Sequence, residues 1–379
     1  MSPSTSLSVL IEAMGIGRAG GGRTATIELL RGLVEAEPTI RICVLLDTYI
    51  QELSNYAQIT QQIYPWKNRF LARLFLQLYL PFLSRRGRFD IVHHAKNLSV
   101  FGVAGVNVVT VYDLANLVIP EIFPRGDNFF WKVVQPVMLR RVDHIIAISE
   151  TTANDIKHFY KIPSNRISTI YLAIPDRFRI QNKDDITQVL RIFKIDQPYI
   201  IHVGSISPKK NLRPLLMAFD AVKHSGWKGK LVLVGERYMT LARSPVVELV
   251  REMHLEDDVV FTGGISDALL PCLLAGAELF VFPSLYEGFG LAAVEAMASG
   301  VPVIATSTGA VPEAVGEAGL LISPNATPEE LGSVIISILG NEPVRLRMRE
   351  QGVLWASQFT SAKLGAATAS LYRNLLRRS

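Results

Sequence analysis

Short apolar, β-branched runs recur through the first half of the chain: "LSVLIEAM" (Leu7 to Met14), "IRICVLLD" (Ile40 to Asp47), "FDIVHH" (Phe89 to His94), "VNVVTVYD" (Val106 to Asp113) and "DHIIAIS" (Asp143 to Ser149). They are too short for buried helices and rich in Val and Ile, which predicts strands covered on both faces. Between some of them lie stretches with helical spacing of apolar residues, Thr24 to Val34 and Thr151 to Phe159. Strands alternating with helices predict a parallel sheet wrapped by helices. The polar interval "PDRFRIQNKDDITQVLRIFKIDQP" reads as a hinge region, after which the pattern restarts with "YIIHVGS", "KLVLVGE", "DVVFTG", "ELFVFPS" and "VPVIATS". Two Rossmann-like α/β domains in tandem are expected. No fixed-period repeat or low-complexity tract breaks the pattern.

Composition fits that picture and adds a charge asymmetry. The 379 residues are too many for one ordinary core, and 49% hydrophobic with 19% charged residues is the balance of a folded, strand-rich protein. The N-terminus lacks the basic and cleavage regions of a signal peptide and no apolar run spans a bilayer, so the expected location is cytoplasmic. Cys43 and Cys272 read as buried small hydrophobes in a reducing compartment. The whole excess of five positive charges falls in residues 1–178. It concentrates between Leu53 and Phe89, where Lys67, Arg69, Arg73, Arg85, Arg86 and Arg88 face no acid. Such a patch is either a solvated rim or an attractor of phosphate-bearing partners or an anionic membrane.

The stretch with the most chemistry is "EGFGLAAVE", Glu287 to Glu295, between the strand "ELFVFPS" and a helix predicted from near Leu291 to Gly300. The first-turn amides from Phe289 through Gly290 and Leu291 to Ala292 have no carbonyl partners within the helix. Gly288 and Gly290 let an anion approach that backbone closely. Free amides at a positive dipole end predict a phosphate site. Glu295, one turn in, can accept from hydroxyls of a sugar attached to that phosphate, and Glu287 from a second hydroxyl-rich group. The two acids would then bracket the pyrophosphate of a nucleotide-sugar. Lys209 and Lys210 follow the strand "YIIHVGS", where ammonium groups can neutralise a departing pyrophosphate. Gly20, Gly21 and Gly22 precede the helix expected from Thr24, and this loop is either merely flexible or a phosphate cover. Asp113 ends its strand at the carboxyl edge where open α/β sheets bind ligands.

The stretch "PSLYEGFGLAAVEAMASGVPVIATSTGAVPEAVGEAGLLISP" resembles, nearly position by position, the signature region of the retaining glycosyltransferases of family 4. "VGSISPKKNLRPLLMAF", "RRVDHIIAISETTANDI", "VTVYDLANLVIPE" and "AGGGRTATIELLRGL" resemble other segments of that family, so the likeness runs over almost the whole chain. The resemblance implies the GT-B fold, two Rossmann-like domains facing across a cleft with a C-terminal helix crossing back to the first domain. It assigns residues 1–178 and 357–379 to acceptor binding and 179–356 to nucleotide-sugar binding. It maps the family's Glu, seven residues, Glu pattern onto Glu287 and Glu295. It also places Gly204, Ser205, Lys209 and Lys210 at the donor phosphates and Tyr112 with Asp113 against the donor sugar. Two departures matter. Where the family often has Arg after the strand's glycine this chain has Ser205, so cationic work falls on Lys210 with Lys209 assisting. Where it commonly has His before Asp113 there is Tyr112, whose phenol can donate a hydrogen bond but does not titrate like imidazole near neutrality.

The implied activity is transfer of a hexose, mannose or glucose, from a GDP- or UDP-sugar to a saccharide or lipid-linked acceptor with retention. No metal or other cofactor is expected, since the seven histidines show no metal spacing and no Asp-x-Asp occurs. Nucleic acid is not among the expected partners. A non-catalytic binding or scaffold protein of the same fold, which Tyr112 and Ser205 keep open, and a GT-B sugar-nucleotide epimerase are the rival readings. In "YPWKNRFLARLFLQLYLPFLSRRGRFD", Trp66, Phe70, Leu74 and Leu78 fall near one helical face. That face can pack on the first domain's sheet. Alternatively its basic flanks, joined by Arg373, Arg377 and Arg378, hold the domain peripherally on an anionic inner membrane face to reach a lipid-linked acceptor.

Overall fold

The computed structural model describes residues 6–16, 20–64, 69–195, 198–236 and 245–378, side chains at 69–73, 125 and 127 aside. It divides into two units, residues 1–175 with 359–379, and residues 176–358. Unit 1 is built on β1 (Ser8–Glu12), β2 (Arg41–Leu46), β3 (Ile59–Ile63), β4 (Ile91–His94), β5 (Val106–Val111), β6 (His144–Ala147) and β7 (Ile167–Thr169). They lie in the order β3-β2-β1-β4-β5-β6-β7, and every pairing is parallel. Unit 2 carries β8 (Tyr199–Val203), β9 (Lys230–Val234), β10 (Val259–Gly263), β11 (Leu279–Phe282), β12 (Val303–Thr306) and β13 (Leu320–Ile322). Their order, β10-β9-β8-β11-β12-β13, is also wholly parallel. Both sheets reverse direction of winding once, between β1 and β4 and between β8 and β11. Such switch points open a crevice at the carboxyl ends of the strands.

The expected doubly wound α/β architecture is present in both units, and every strand expected from an apolar run is found. Three strands were not expected: β3, β7 and β13. All three are sheet edges with one hydrogen-bonded neighbour; β3 and β7 are only partly buried and not continuously apolar, while β13, Leu-Leu-Ile, is apolar but only three residues long. The polar interval read as a hinge contains a helix, Lys183–Phe193, belonging to unit 2. Asn182 caps it by accepting from the Asp184 amide at 3.1 Å, and Val189 and Leu190 are buried.

The C-terminal helix, Ser361–Leu376, returns to unit 1 and packs along α1 (Gly21–Ala36). The backbones touch at Gly32 and Gly365: a Cβ on Gly32 would lie 1.9 Å from the Ser361 carbonyl oxygen. Arg373 donates to both Glu37 oxygens, at 3.0 and 2.8 Å, and that bond holds the Glu37 carboxyl below its ordinary range. Buried Tyr372 bonds His93 Nδ1 at 2.6 Å, while His93 Nε2 meets the Thr110 hydroxyl at 2.7 Å. Burial, reinforced by neighbouring His94, pushes the His93 pKa down to about 3, so this imidazole is a neutral structural pin.

Because the Gly32–Gly365 contact is backbone against backbone, no rotamer can relieve an added methyl. Gly32→Ala is expected to destabilise the protein by about 2 to 3 kcal/mol, the cost of overpacking a dense helix contact. Urea unfolding followed by circular dichroism checks it, and an unchanged midpoint would show that the helices part freely.

Candidate active site

At the switch point of unit 2, the loops after β8 and β11 bring Lys209, Lys210 and Glu287 together. Lys210 Nζ donates to Glu287 Oε1 at 2.6 Å, and Lys209 Nζ stands 3.7 Å from Oε2. The loops are tied by backbone bonds, Leu285 N to the Lys209 oxygen at 2.9 Å and Ala310 N to the Glu287 oxygen at 2.8 Å. Gly309 makes that approach possible, because a Cβ there would lie 2.3 Å from the Glu287 oxygen. Glu287 is 9% exposed. Burial alone would raise its pKa, but the charges of Lys210 and Lys209 and the Lys210 hydrogen bond outweigh it and hold the carboxyl below its ordinary range. Lys210 Nζ also lies 4.7 Å from the Phe282 ring centroid, and its stem fills the space beside Gly204, where a Cβ would meet Lys210 Cε at 2.8 Å.

The helix Leu291–Ala298 begins as expected. Gly290 is its N-cap at φ 112°, a value that favours glycine, and Leu291 and Ala292 are half-buried at its mouth. Gly288, Phe289 and Gly290 are buried and lead directly from Glu287 into the first turn. Ser205 is exposed and donates to Ser207 Oγ at 3.3 Å. Glu295 has different charged neighbours. It is buried, and its surroundings include Arg177 and Asp267, themselves paired at 3.7 Å. Burial pushes its pKa up to about 7, with Asp267 adding to the rise and Arg177 opposing it.

In unit 1 the expected loop of Gly20, Gly21 and Gly22 is shorter than read. The helix starts at Gly21, so only Gly20, at φ 136°, precedes it as N-cap, and Gly21 and Gly22 form the first turn. First-turn residues need no intrahelical amide partner, so glycines there cost little beyond backbone entropy. Asp113 is half-buried and accepts from the Ala115 amide at 3.4 Å. Tyr112 lines a small cavity together with Ala25, Leu29, His93, Thr110 and Leu364. Burial pushes its phenol up to about 12, moderated by a bond with Thr26, so it is neutral near pH 7.

Two residues near these groups carried no sequence signal. His202, in β8, bonds the Val281 oxygen at 3.0 Å through Nδ1, while its buried Nε2 lacks a partner and lies 3.2 Å from where a Gly204 Cβ would sit. Burial, then the Lys210 charge, lowers its pKa to about 4, leaving a neutral ring beside the lysine. Lys96, after β4, lies with Nζ 3.4 Å from the Cβ position of Gly15 and Cε 3.7 Å from that of Gly22. Neither sits in a recognisable motif; only the fold brings them to the carboxyl edges.

Residues 19–178 match the family model described as Glycosyltransferase Family 4, and residues 183–355 that described as Glycosyl transferases group 1. Among curated proteins, the O-antigen chain mannosyltransferase B of Escherichia coli is 28% identical over 288 residues, 76% of this chain and 75% of the relative. The MMP alpha-(1->4)-mannosyltransferase of Mycolicibacterium hassiacum is 29% identical over 65% of this chain and 57% of the relative. Among solved structures, Anabaena HepE in complex with UDP and glucose aligns with TM-score 0.78 at 18% identity, covering 97% of this chain and 100% of that one. A glycosyltransferase from Rickettsia africae aligns with TM-score 0.76 at 18% identity over 99% and 100%.

The raised pKa of Glu295 has a stability consequence independent of any ligand. A carboxyl near 4.5 when unfolded and about 7 when folded binds more protons in the folded state between those values, so it costs stability as pH rises through that window. The full cost, roughly 3 kcal/mol, is reached above pH 7. Glu295→Gln, which cannot ionise, is expected to raise the melting temperature over wild type by several degrees at pH 8 and little at pH 5. Equal shifts at both pH values, read by scanning calorimetry, would count against a buried titrating carboxyl.

Proposed function

Taking as premise that the chain belongs to glycosyltransferase family 4 and glycosyl transferases group 1, with the GT-B fold, we propose that it is a retaining hexosyltransferase working without a metal. The donor is a GDP- or UDP-sugar. Mannose is the favoured sugar because the relatives from Escherichia coli and Mycolicibacterium hassiacum bear mannosyltransferase names. The acceptor is a saccharide or a lipid-linked saccharide. Unit 2 holds the nucleotide-sugar and unit 1 the acceptor.

The observation that carries this reading is the Lys210–Glu287 pair, with Lys209 beside it, at the mouth of the helix Leu291–Ala298. Two ammonium groups and the positive end of the helix dipole supply the field that a diphosphate leaving group needs as its charge grows. Glu287, held ionised, accepts from hydroxyls of the transferred sugar, and Glu295 from the ribose. In the reaction the bond from the anomeric carbon to the diphosphate oxygen breaks, and the acceptor oxygen bonds that carbon on the same face. The acceptor's proton passes to the departing phosphate. The protein then supplies orientation and charge rather than a strong base, consistent with the neutral Tyr112 phenol.

Lys210→Ala and Glu287→Gln are each expected to lower turnover at least tenfold, through loss of a charge-assisted bond of about 2 to 4 kcal/mol. Glu295→Ala should chiefly weaken nucleoside diphosphate binding, read by calorimetry. Release of nucleoside diphosphate from a panel of donors and acceptors is the assay, and wild-type turnover in all three variants would sink the assignment. No release from any donor would favour the binding-protein reading.

Activity is also expected to survive excess EDTA, because lysines and amides carry the phosphate charge. Loss in chelator, restored by magnesium or manganese, would show an ion at work instead.

A further inference from the structure

Helix α2 (Arg69–Gly87) is apolar on opposite faces, and only one of them is covered. Its inner face places Leu76 and Leu80, with Phe75, Tyr79 and Leu83, against Leu10, Leu45, Tyr64 and Val92. Its outer face carries Leu74, Leu78 and Phe82 in steps of four, and they are 59%, 75% and 56% exposed. Leu74 and Leu78 therefore do not pack on the sheet. Trp66 and the Phe70 side chain, expected on the same stripe, fall outside what is described. Arg373, expected to join the basic flank, is instead committed to Glu37.

A second outward apolar face lies on the helical run 125–139, which passes through a π-helical turn at Phe130–Val134. Gln135, Pro136, Met138 and Leu139 are buried, while Phe129, Val133 and Val137, again in steps of four, are 63%, 49% and 43% exposed. The loop after β4 ties the two helices together. Exposed Phe101 donates its amide to Gln77 Oε1 on α2 at 3.5 Å, and the Arg141 guanidinium lies 5.0 Å from its ring centroid. The Ser99 hydroxyl donates to the Met138 oxygen at 3.4 Å, and the Ala104 amide to Ser84 Oγ at 2.9 Å. Around these faces Arg85, Arg86, Arg88, Lys132, Arg140 and Arg141 are exposed. No Asp or Glu occurs in residues 53–89, 91–112 or 128–142.

We propose that unit 1 docks on the surface of an anionic lipid bilayer through these two exposed helix faces and the Phe101 loop between them. Apolar side chains beside these exposed cations match a bilayer interface, where the former enter the acyl boundary and the latter meet lipid phosphates. Among the described residues no helix is long and apolar enough to cross a membrane, so the contact is peripheral. A second copy of the chain fits less well, because a two-fold contact would set the same cations against one another. The inference is independent of the reaction proposed above.

The test is co-sedimentation of the full chain with phosphatidylcholine vesicles, with and without phosphatidylglycerol. Binding is expected only to the anionic vesicles and is expected to fall at high salt. Joint replacement of Arg85, Arg86 and Arg88 by Ser should lower partitioning about a hundredfold, at about fivefold per cation. Leu78→Ser with Phe82→Ser, and separately Phe129→Ser with Val133→Ser, should each lower it at least tenfold with unchanged circular dichroism. Leu354→Ser, at a 76% exposed apolar position of unit 2, should leave it unchanged. Absence of binding at low ionic strength, salt-insensitive binding, or equal loss with Leu354→Ser would overturn the proposal. So would a dimer, seen by sedimentation velocity, that the same apolar substitutions dissociate.

Discussion

A carboxylate nine-tenths removed from water stays ionised only with cations at hand, and the switch point of unit 2 is arranged around that demand at Glu287. Lys210 meets it at 2.6 Å and Lys209 supports it at 3.7 Å, while Gly309 lets the next loop close over the Glu287 backbone. Breaking one side of such a pair leaves a buried uncompensated charge, which is strongly destabilising. The constraint therefore fixes the ends of β8 and β11 relative to each other. It also keeps two ammonium groups assembled at the loop that leads into the helix Leu291–Ala298, so under the proposed function a diphosphate would meet them with little reorganisation.

The loop and helix around Glu287 were legible because they are local, whereas its pairing with Lys210, 77 residues away in sequence, was not. A strand, a loop with glycines at set positions and a helix beginning at Leu291 follow from a dozen consecutive residues, and Gly290 at φ 112° is the one place where the turn requires glycine. What was not legible depends on residues far apart in the chain. Glu295 is perturbed by Arg177 and Asp267, and His202 shows its meaning only once β8 lies beside β11, where its ring bonds Val281. The missed strands β3, β7 and β13 fail for another reason. β3 (ITQQI) and β7 (IST) are half-buried edge strands with no continuous apolar run to read, and β13 (LLI) is apolar but only three residues long.

In unit 1 the same limit appears in packing. The sequence marks Gly32 and Gly365 as ordinary helix glycines, which propensity alone would count as weak points. Their value is steric, since α1 and the C-terminal helix meet at backbone distance there. That contact, with Arg373 on Glu37 and Tyr372 on His93, makes the last residues part of unit 1 rather than of the unit that precedes them in sequence. Tyr112 belongs to the same layer. It lines the cavity beside α1 and bonds Thr26, a buried environment that favours the uncharged phenol over a titrating group.

The two acids of "EGFGLAAVE" end in opposite electrostatic states although eight positions separate them and both are buried. Glu287 has two lysines and is driven toward the charged form, whereas Glu295 has one arginine already paired with an aspartate and is driven toward the neutral form. Near neutral pH the first is an acceptor only, and the second exchanges between donor and acceptor. A group that must hold a fixed charge next to a reacting sugar is served by the first environment. One that must only meet hydroxyls, each both donor and acceptor, is served by either state. The opposite charge states of the two carboxylates thus rest on which cations the fold places beside each, and the roles proposed for them follow that difference.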